Sequence, residues 1–349
     1  MEIEVIILGA GLSGLLLANK FKDAGQQVLV LEARERMGGR IETIQKEPAG
    51  ALLEMGATWF GPAHKNLIAL LQAQGIEYFE QYMAGTAFFE PFSMAAPQAI
   101  QLPTQEASYR IKGGSMALIQ SLAKQLTAEE LLLNQPVRSL YFDRTGVQVN
   151  TETGQWNCKR IISTLPPALL AASVFFSPAL PEPVKEIALH THTWMQDSIK
   201  IAFTYQEPFW RNQGLSGTIF SNVGPVTELY DHSGSGEQGF ALCGFVSGSL
   251  MGLSAQDRRD KILQQLERLL GSAILNYTHV EEKIWANEPF TKQKDPLAIY
   301  PHQNNGQAVY SASLFNNRFF FCGSETASAY PGYMEGAVQA ALELAAVLT

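Results

Sequence analysis

Apolar residues run without a break from Val5 to Leu8 and stop at Gly9. They return with helical spacing as Leu15, Leu16, Leu17, Ala18 and Phe21, and a further apolar run closes at Leu31. The pattern predicts a strand, a tight turn, a helix and a second strand, because short unbroken apolar runs mark strands covered on both faces. Farther along, helical spacing recurs over 66–74, closed by Gly75, and over 116–126, behind the Gly113-Gly114 turn. Strand-like segments follow over 131–133, 137–142, 147–151 and 155–158, with Gly146 and Gly154 at turns, and read as a small meander. A separate buried strand is expected over 160–167, ended by Pro166-Pro167.

The second half alternates differently. A helix with proline at its opening spans 181–190, and strands are expected over 197–205, 217–221, 226–230 and 239–246. Ser254 announces a helix over 257–270 that Gly271 ends. The last strand, 318–322, leads into a final helix opened by Gly332, Tyr333 and Met334. The interval 81–110 is irregular and rich in Phe, Met and Pro.

Composition changes this picture little. A chain of 349 residues, 46% hydrophobic and 17% charged, buries one or two substantial cores. A net charge of -8 without basic runs argues against nucleic acid or an anionic membrane as a partner. Cys158, Cys243 and Cys322 are odd in number and contain no CxxC, which indicates neither a disulfide framework nor zinc and fits a reducing, cytoplasmic compartment. The apolar N-terminus carries Glu2 and Glu4 instead of a basic region, and no uncharged stretch is long enough to span a bilayer, so a soluble protein is expected. His190 and His192 would share a strand face but lack a third ligand, so no metal site is expected.

The chemistry lies in the opening turn. Gly9, Gly11 and Gly14 form GxGxxG between strand and helix: the first permits the turn, the second lets a pyrophosphate approach, and the third lets the helix pack on the strand. The backbone N–H groups of Leu12 and Ser13 at the helix start favour an anion. Glu32, at the end of the second strand, is placed to accept from ribose hydroxyls. After Ala33 come Arg34, Arg36 and Arg40, with Gly38 and Gly39 freeing the backbone beside a polyanion.

The segment 33–40, ARERMGGR, resembles the RxGGR signature of the flavin-containing amine oxidase family, whose cofactor is FAD. The resemblance extends to IKxxxxYxEPFW from Ile199, and it is strongest in AYPGYMEGAVQAALELAAVL from Ala329. It implies an α/β fold: a Rossmann-like FAD-binding domain of the glutathione reductase type, over 1–79, 111–190 and 288–349, and a smaller α+β substrate domain on a mixed sheet, over 80–110 and 191–287. It implies that Gly56, Ala57, Thr58 and Trp59 run past the flavin, that Val137 meets the adenine, and that Thr164 ends the strand crossing into the substrate domain. Trp285 would pack at the flavin end of the sheet, Gly323, Ser324 and Glu325 near ribityl or pyrophosphate, and Gly332 to Met334 at the pyrimidine. From pattern alone Lys200 points to solvent; the resemblance implies instead that it holds a water at the reactive flavin nitrogen, with Tyr333 and Trp59 as aromatic walls for the amine.

The implied reaction is oxidation of an amine by hydride transfer to FAD, with dioxygen as reoxidant. Alternatives are a related oxidase or desaturase, a renalase-like dihydronicotinamide oxidase, or a flavin-binding protein without turnover. Monoamine oxidases place their flavin-linking cysteine at about Lys294 and a second cage tyrosine at about Asp295, so FAD is expected to be noncovalent and the tyrosine pair incomplete. Relatives carry a long helical insertion where this chain has only 81–110. A shallower site, or one covered by a second copy in a homodimer, follows.

Overall fold

In the computed structural model, which describes residues 3–46, 50–103, 106–236, 239–292 and 299–349, the strand Ile3–Leu8 lies inside a sheet. Val28–Leu31 pairs parallel on one side and Gln155–Ser163 on the other. Alternate residues go to different cores: Val5 and Ile7 pack with the first helix, Leu12–Asp23, and the final helix, Met334–Leu348, while Ile6 and Leu8 pack with Leu140, Val149 and Leu170. Both faces are therefore covered, which accounts for the unbroken apolar run.

Two expectations need correction. The segments 155–158 and 160–167 are one nine-residue strand, Gln155–Ser163, antiparallel to Val147–Thr151 in its first half and parallel to Ile3–Leu8 in its second. Cys158 belongs to both pairings. Leu131–Leu132 is not part of the meander but pairs parallel with Val28–Leu31 at the opposite edge. Phe319–Phe321 completes the sheet on the second half of Gln155–Ser163.

A second sheet has the order His279–Ile284, Ile199–Tyr205, Phe240–Val246, Val226–Asp231, Leu215–Ser221, Thr86–Glu90, Gln98–Gln101. Ile199, Ile201 and Phe203 turn toward the helix Ala255–Leu270, where Ile262 and Leu266 meet them. That helix starts two residues before the expected position, because Ser254 accepts from Asp257 N at 3.1 Å and caps it there. The interval 81–110 supplies the last two strands at one edge of this sheet and most of Tyr109–Ile111, which pairs with Tyr78–Glu80. Among the described residues, no helix is long and apolar enough to cross a membrane.

Candidate active site

The glycine turn divides its three positions as steric reasoning requires. Gly9 has φ +103°, and a Cβ there would meet Thr164 Oγ1 at 2.7 Å. A Cβ on Gly14 would lie 2.0 Å from Gly9 O, so helix and strand touch backbone to backbone. Gly11 is different: the nearest atom to its Cβ would be Gly38 O, at 4.0 Å. The space in front of it is open. No side chain caps the helix that starts at Leu12, so its first N–H groups face that space without a partner of their own.

Glu32 is buried and accepts from Ala10 N at 2.8 Å with one oxygen and from Arg34 N at 2.9 Å with the other. Each oxygen keeps a further lone pair for a hydroxyl donor. Gln135 N donates to Glu32 O at 2.8 Å, which brings Val137 alongside. Arg34 donates to Thr291 Oγ1 at 2.7 Å and Glu288 Oε2 at 3.3 Å; burial lowers its pKa. Arg40 forks onto Glu325, at 2.5 and 2.8 Å, and also donates to Ser324 Oγ and Trp194 O. Burial pushes the Glu325 carboxyl up, but the Arg40 charge and its hydrogen bonds outweigh that and hold it below the usual carboxylate range.

These groups surround a cavity of about 710 Å³. Its wall contains Gly9, Gly11, Leu12, Ser13, Glu32, Ala33, Arg34, Gly38, Gly39, Arg40, Ala57, Val137, Thr164, Ser324, Gly332, Tyr333 and Met334. Ser13 Oγ donates to Ala337 O at 3.0 Å, so the starts of the first and last helices meet directly. Other expected residues stand behind the wall. Gly14 and Gly56 allow close backbone packing, Gly56 against Arg40 O, and Gly323 lies on Thr164. Trp285 is buried and donates to Met55 O at 2.8 Å. Glu325 supports the wall through Arg40 and is not part of it. The chain also brings Trp194, Met195 and Phe290 into the wall. No sequence pattern pointed to them: Trp194 lies in an irregular stretch between the 181–190 helix and the next strand, and its ring stacks on Tyr333 at 5.8 Å.

Lys200 is buried, so the solvent-facing reading fails. All seven residues of Ile199–Tyr205 are buried: the face opposite the helix-covered core is closed by Ala51–Glu54 and the segment after it. The Lys200 ammonium donates at 2.8 Å to Glu54 O, Gly56 O and Thr58 Oγ1, which takes up its three protons. Burial lowers its pKa, against the raising influence of Cys243 and Glu54. Nζ lies 4.8 Å from the Trp59 ring and 5.2 Å from the Phe245 ring. Gly56 and Thr58 flank Ala57, so the cation sits immediately behind a cavity-wall residue. Trp59 donates to Gln81 Oε1 at 3.0 Å and rests 5.0 Å from Tyr230.

The family described as flavin containing amine oxidoreductase matches the chain over residues 12–94 and 82–349. The chain belongs to this family. It is 26% identical to a probable flavin-containing monoamine oxidase A of Dictyostelium discoideum, covering 96% of this chain and 95% of the relative, and 25% identical to a putrescine oxidase of Kocuria rosea, covering 84% of each. The first alignment runs over 445 positions against 349 residues here, so that relative carries segments this flavin-containing amine oxidoreductase lacks. Its fold matches a putrescine oxidase solved with putrescine (TM-score 0.87, 23% identity, 100% and 99% of the two chains) and a cyclohexylamine oxidase of Brevibacterium oxydans (TM-score 0.86, 20% identity, 100% and 99%). The cofactor of this flavin-containing amine oxidoreductase is FAD, and the cavity fits it: an open glycine cradle beside a helix start for the diphosphate, and a buried carboxylate for the ribose. Its volume lies within the range of ligand sites. Lys294 and Asp295, the positions tied to covalent attachment and the second cage tyrosine, lie outside the described residues. Among the described residues no cluster could hold a metal ion.

Proposed function

We propose that the chain oxidises an amine and passes the electrons to dioxygen. The observation that carries this reading is the adjacency, across Ala57, of the dinucleotide cavity and the buried Lys200, Trp59 and Phe245 cluster. When bound, FAD supplies the acceptor for the hydride leaving the carbon next to the amine nitrogen. Tyr333, 40% exposed at the start of the final helix, and Trp59 form aromatic surfaces that orient the amine. The final helix directs unpaired N–H groups at the cavity, where they stabilise negative charge. With its three protons engaged, Lys200 can hold a water only by giving up one of those bonds; the geometry favours a fixed cation that disfavours a protonated amine beside it and stabilises charge developing on dioxygen. Three free, buried cysteines support a reducing, cytoplasmic setting.

The test is anaerobic mixing of the yellow protein with a panel of amines and amino acids, followed by air and a peroxide assay. Bleaching by an amine and peroxide release on aeration are expected. Bleaching by a dihydronicotinamide and by no amine would establish the renalase-like alternative instead.

A further inference from the structure

Trp59 lies in an irregular stretch between the strand Ala51–Glu54 and Phe60, which bridges to Tyr109. Among the described residues no ladder fixes how its ring stands. Tyr230 lies at 5.0 Å, Phe245 at 6.1 Å and His232 at 6.3 Å from it, and Lys200 Nζ is 4.8 Å from its centroid. Such contacts settle where an indole sits more firmly than which of its edges leads. Among the described residues its one directional side-chain bond is the 3.0 Å hydrogen bond that Nε1 donates to Gln81 Oε1.

Gln81 is held on every side. It is 4% exposed, and its amide nitrogen donates to Asp231 O at 2.6 Å and to Tyr82 O at 3.0 Å, which uses both amide protons and turns the oxygen to the indole. The reverse orientation of the amide would set its oxygen against two carbonyls and its protons against a group that can only donate. The Gln81 backbone N–H donates to Ser108 O at 2.7 Å. Asp231 ends the strand Val226–Asp231, and its carboxylate accepts from Trp210 Nε1 at 2.8 Å and Arg211 Nε at 2.6 Å. One buried side chain therefore ties the Trp59 ring to the end of a strand in the second sheet, while the Lys200 ammonium holds the backbone of the same segment through Gly56 O.

We propose that Gln81 is a positioning residue: it fixes the edge of Trp59 that meets the amine, and with it the angle at which the carbon–hydrogen bond reaches the flavin. The inference rests on the amine-oxidising reading above. Its test follows anaerobic bleaching of the holoenzyme by benzylamine, or by whichever amine of the panel above bleaches it fastest. Gln81→Met should slow the limiting rate of bleaching roughly tenfold. Reoxidation by dioxygen should be unchanged, because the bonds of Lys200 do not involve Gln81. Gln81→Glu, which still offers the indole an oxygen, should restore most of the bleaching rate. In a Trp59→Phe background, which has no indole N–H to hold, Gln81→Met should change that rate by less than about twofold. If Gln81→Met does not fold, Gln81→Asn, a methylene too short to span both partners, takes its place. A bleaching rate unchanged in the Gln81 variant, or the same loss in the Trp59→Phe background, overturns the proposal while leaving amine oxidation standing. Near-ultraviolet circular dichroism separates the two readings. Indole bands that shift in the Gln81 variant and not in the Trp59→Phe background, in a protein that oxidises no amine, would keep the positioning assignment and remove the reaction.

Discussion

Gly11 and Gly14 stand three residues apart in one motif and carry opposite consequences. A side chain at Gly11 has open space before it and an ordinary extended backbone, φ -79°, so Gly11→Val should fold and melt near the wild-type apoprotein while retaining no flavin. Gly14→Val drives a side chain into Gly9 O and should cost about 3 kcal/mol or more, leaving little soluble protein. Flavin absorbance and circular dichroism on the two variants check this pair. At Lys200, Met substitution removes the ammonium's bonds to Glu54 O, Gly56 O and Thr58 Oγ1, but Thr58 Oγ1 still donates to Gly56 O and Cys243 Sγ to Glu54 O, so the loss in denaturant melts should be about 1–2 kcal/mol. The same variant should keep FAD yet react with dioxygen roughly a hundredfold more slowly after reduction by amine. Unchanged oxygen reactivity would take Lys200 out of the reaction. The glycine spacing was legible because each position answers a local steric demand. The burial of Lys200 was not, because what covers it, the strand Ala51–Glu54 and the segment through Thr58, lies far away in the chain.

Between elements, the loop ending at Arg40 and the turn at Ser324–Thr326 are joined by one forked ion pair. In the folded protein Glu325 titrates below its unfolded value, so its contribution is present above the ordinary carboxylate range and fades as pH falls through the lowered folded value. Arg40→Met leaves burial as the dominant influence, which raises the folded value and reverses the sign. The variant should therefore be less stable by about 3 kcal/mol at neutral pH, with the deficit shrinking toward about pH 5. Chemical denaturation at both pH values decides it. Sequence patterning found the elements on each side of this pair but not the pair itself, since nothing in a local period links residues 285 positions apart. The same limit explains the single strand Gln155–Ser163: its change of partner at Cys158 looks, in sequence, like two strands.

At the scale of the whole molecule, the groups that line the cavity are backbone, hydroxyl, carboxylate, guanidinium and apolar groups suited to holding FAD noncovalently. Acid precipitation of the purified protein is expected to leave a yellow supernatant and a colourless pellet. A coloured pellet would overturn the noncovalent reading.

The direct meeting of Ser13 with Ala337 has a consequence for biosynthesis. The ribosome delivers the two partners 324 residues apart, so a nascent chain cannot close the cavity wall until the helix Met334–Leu348 has emerged. Until then the glycine turn waits in a half-built wall, so a cell short of riboflavin should accumulate full-length but poorly protected apoprotein.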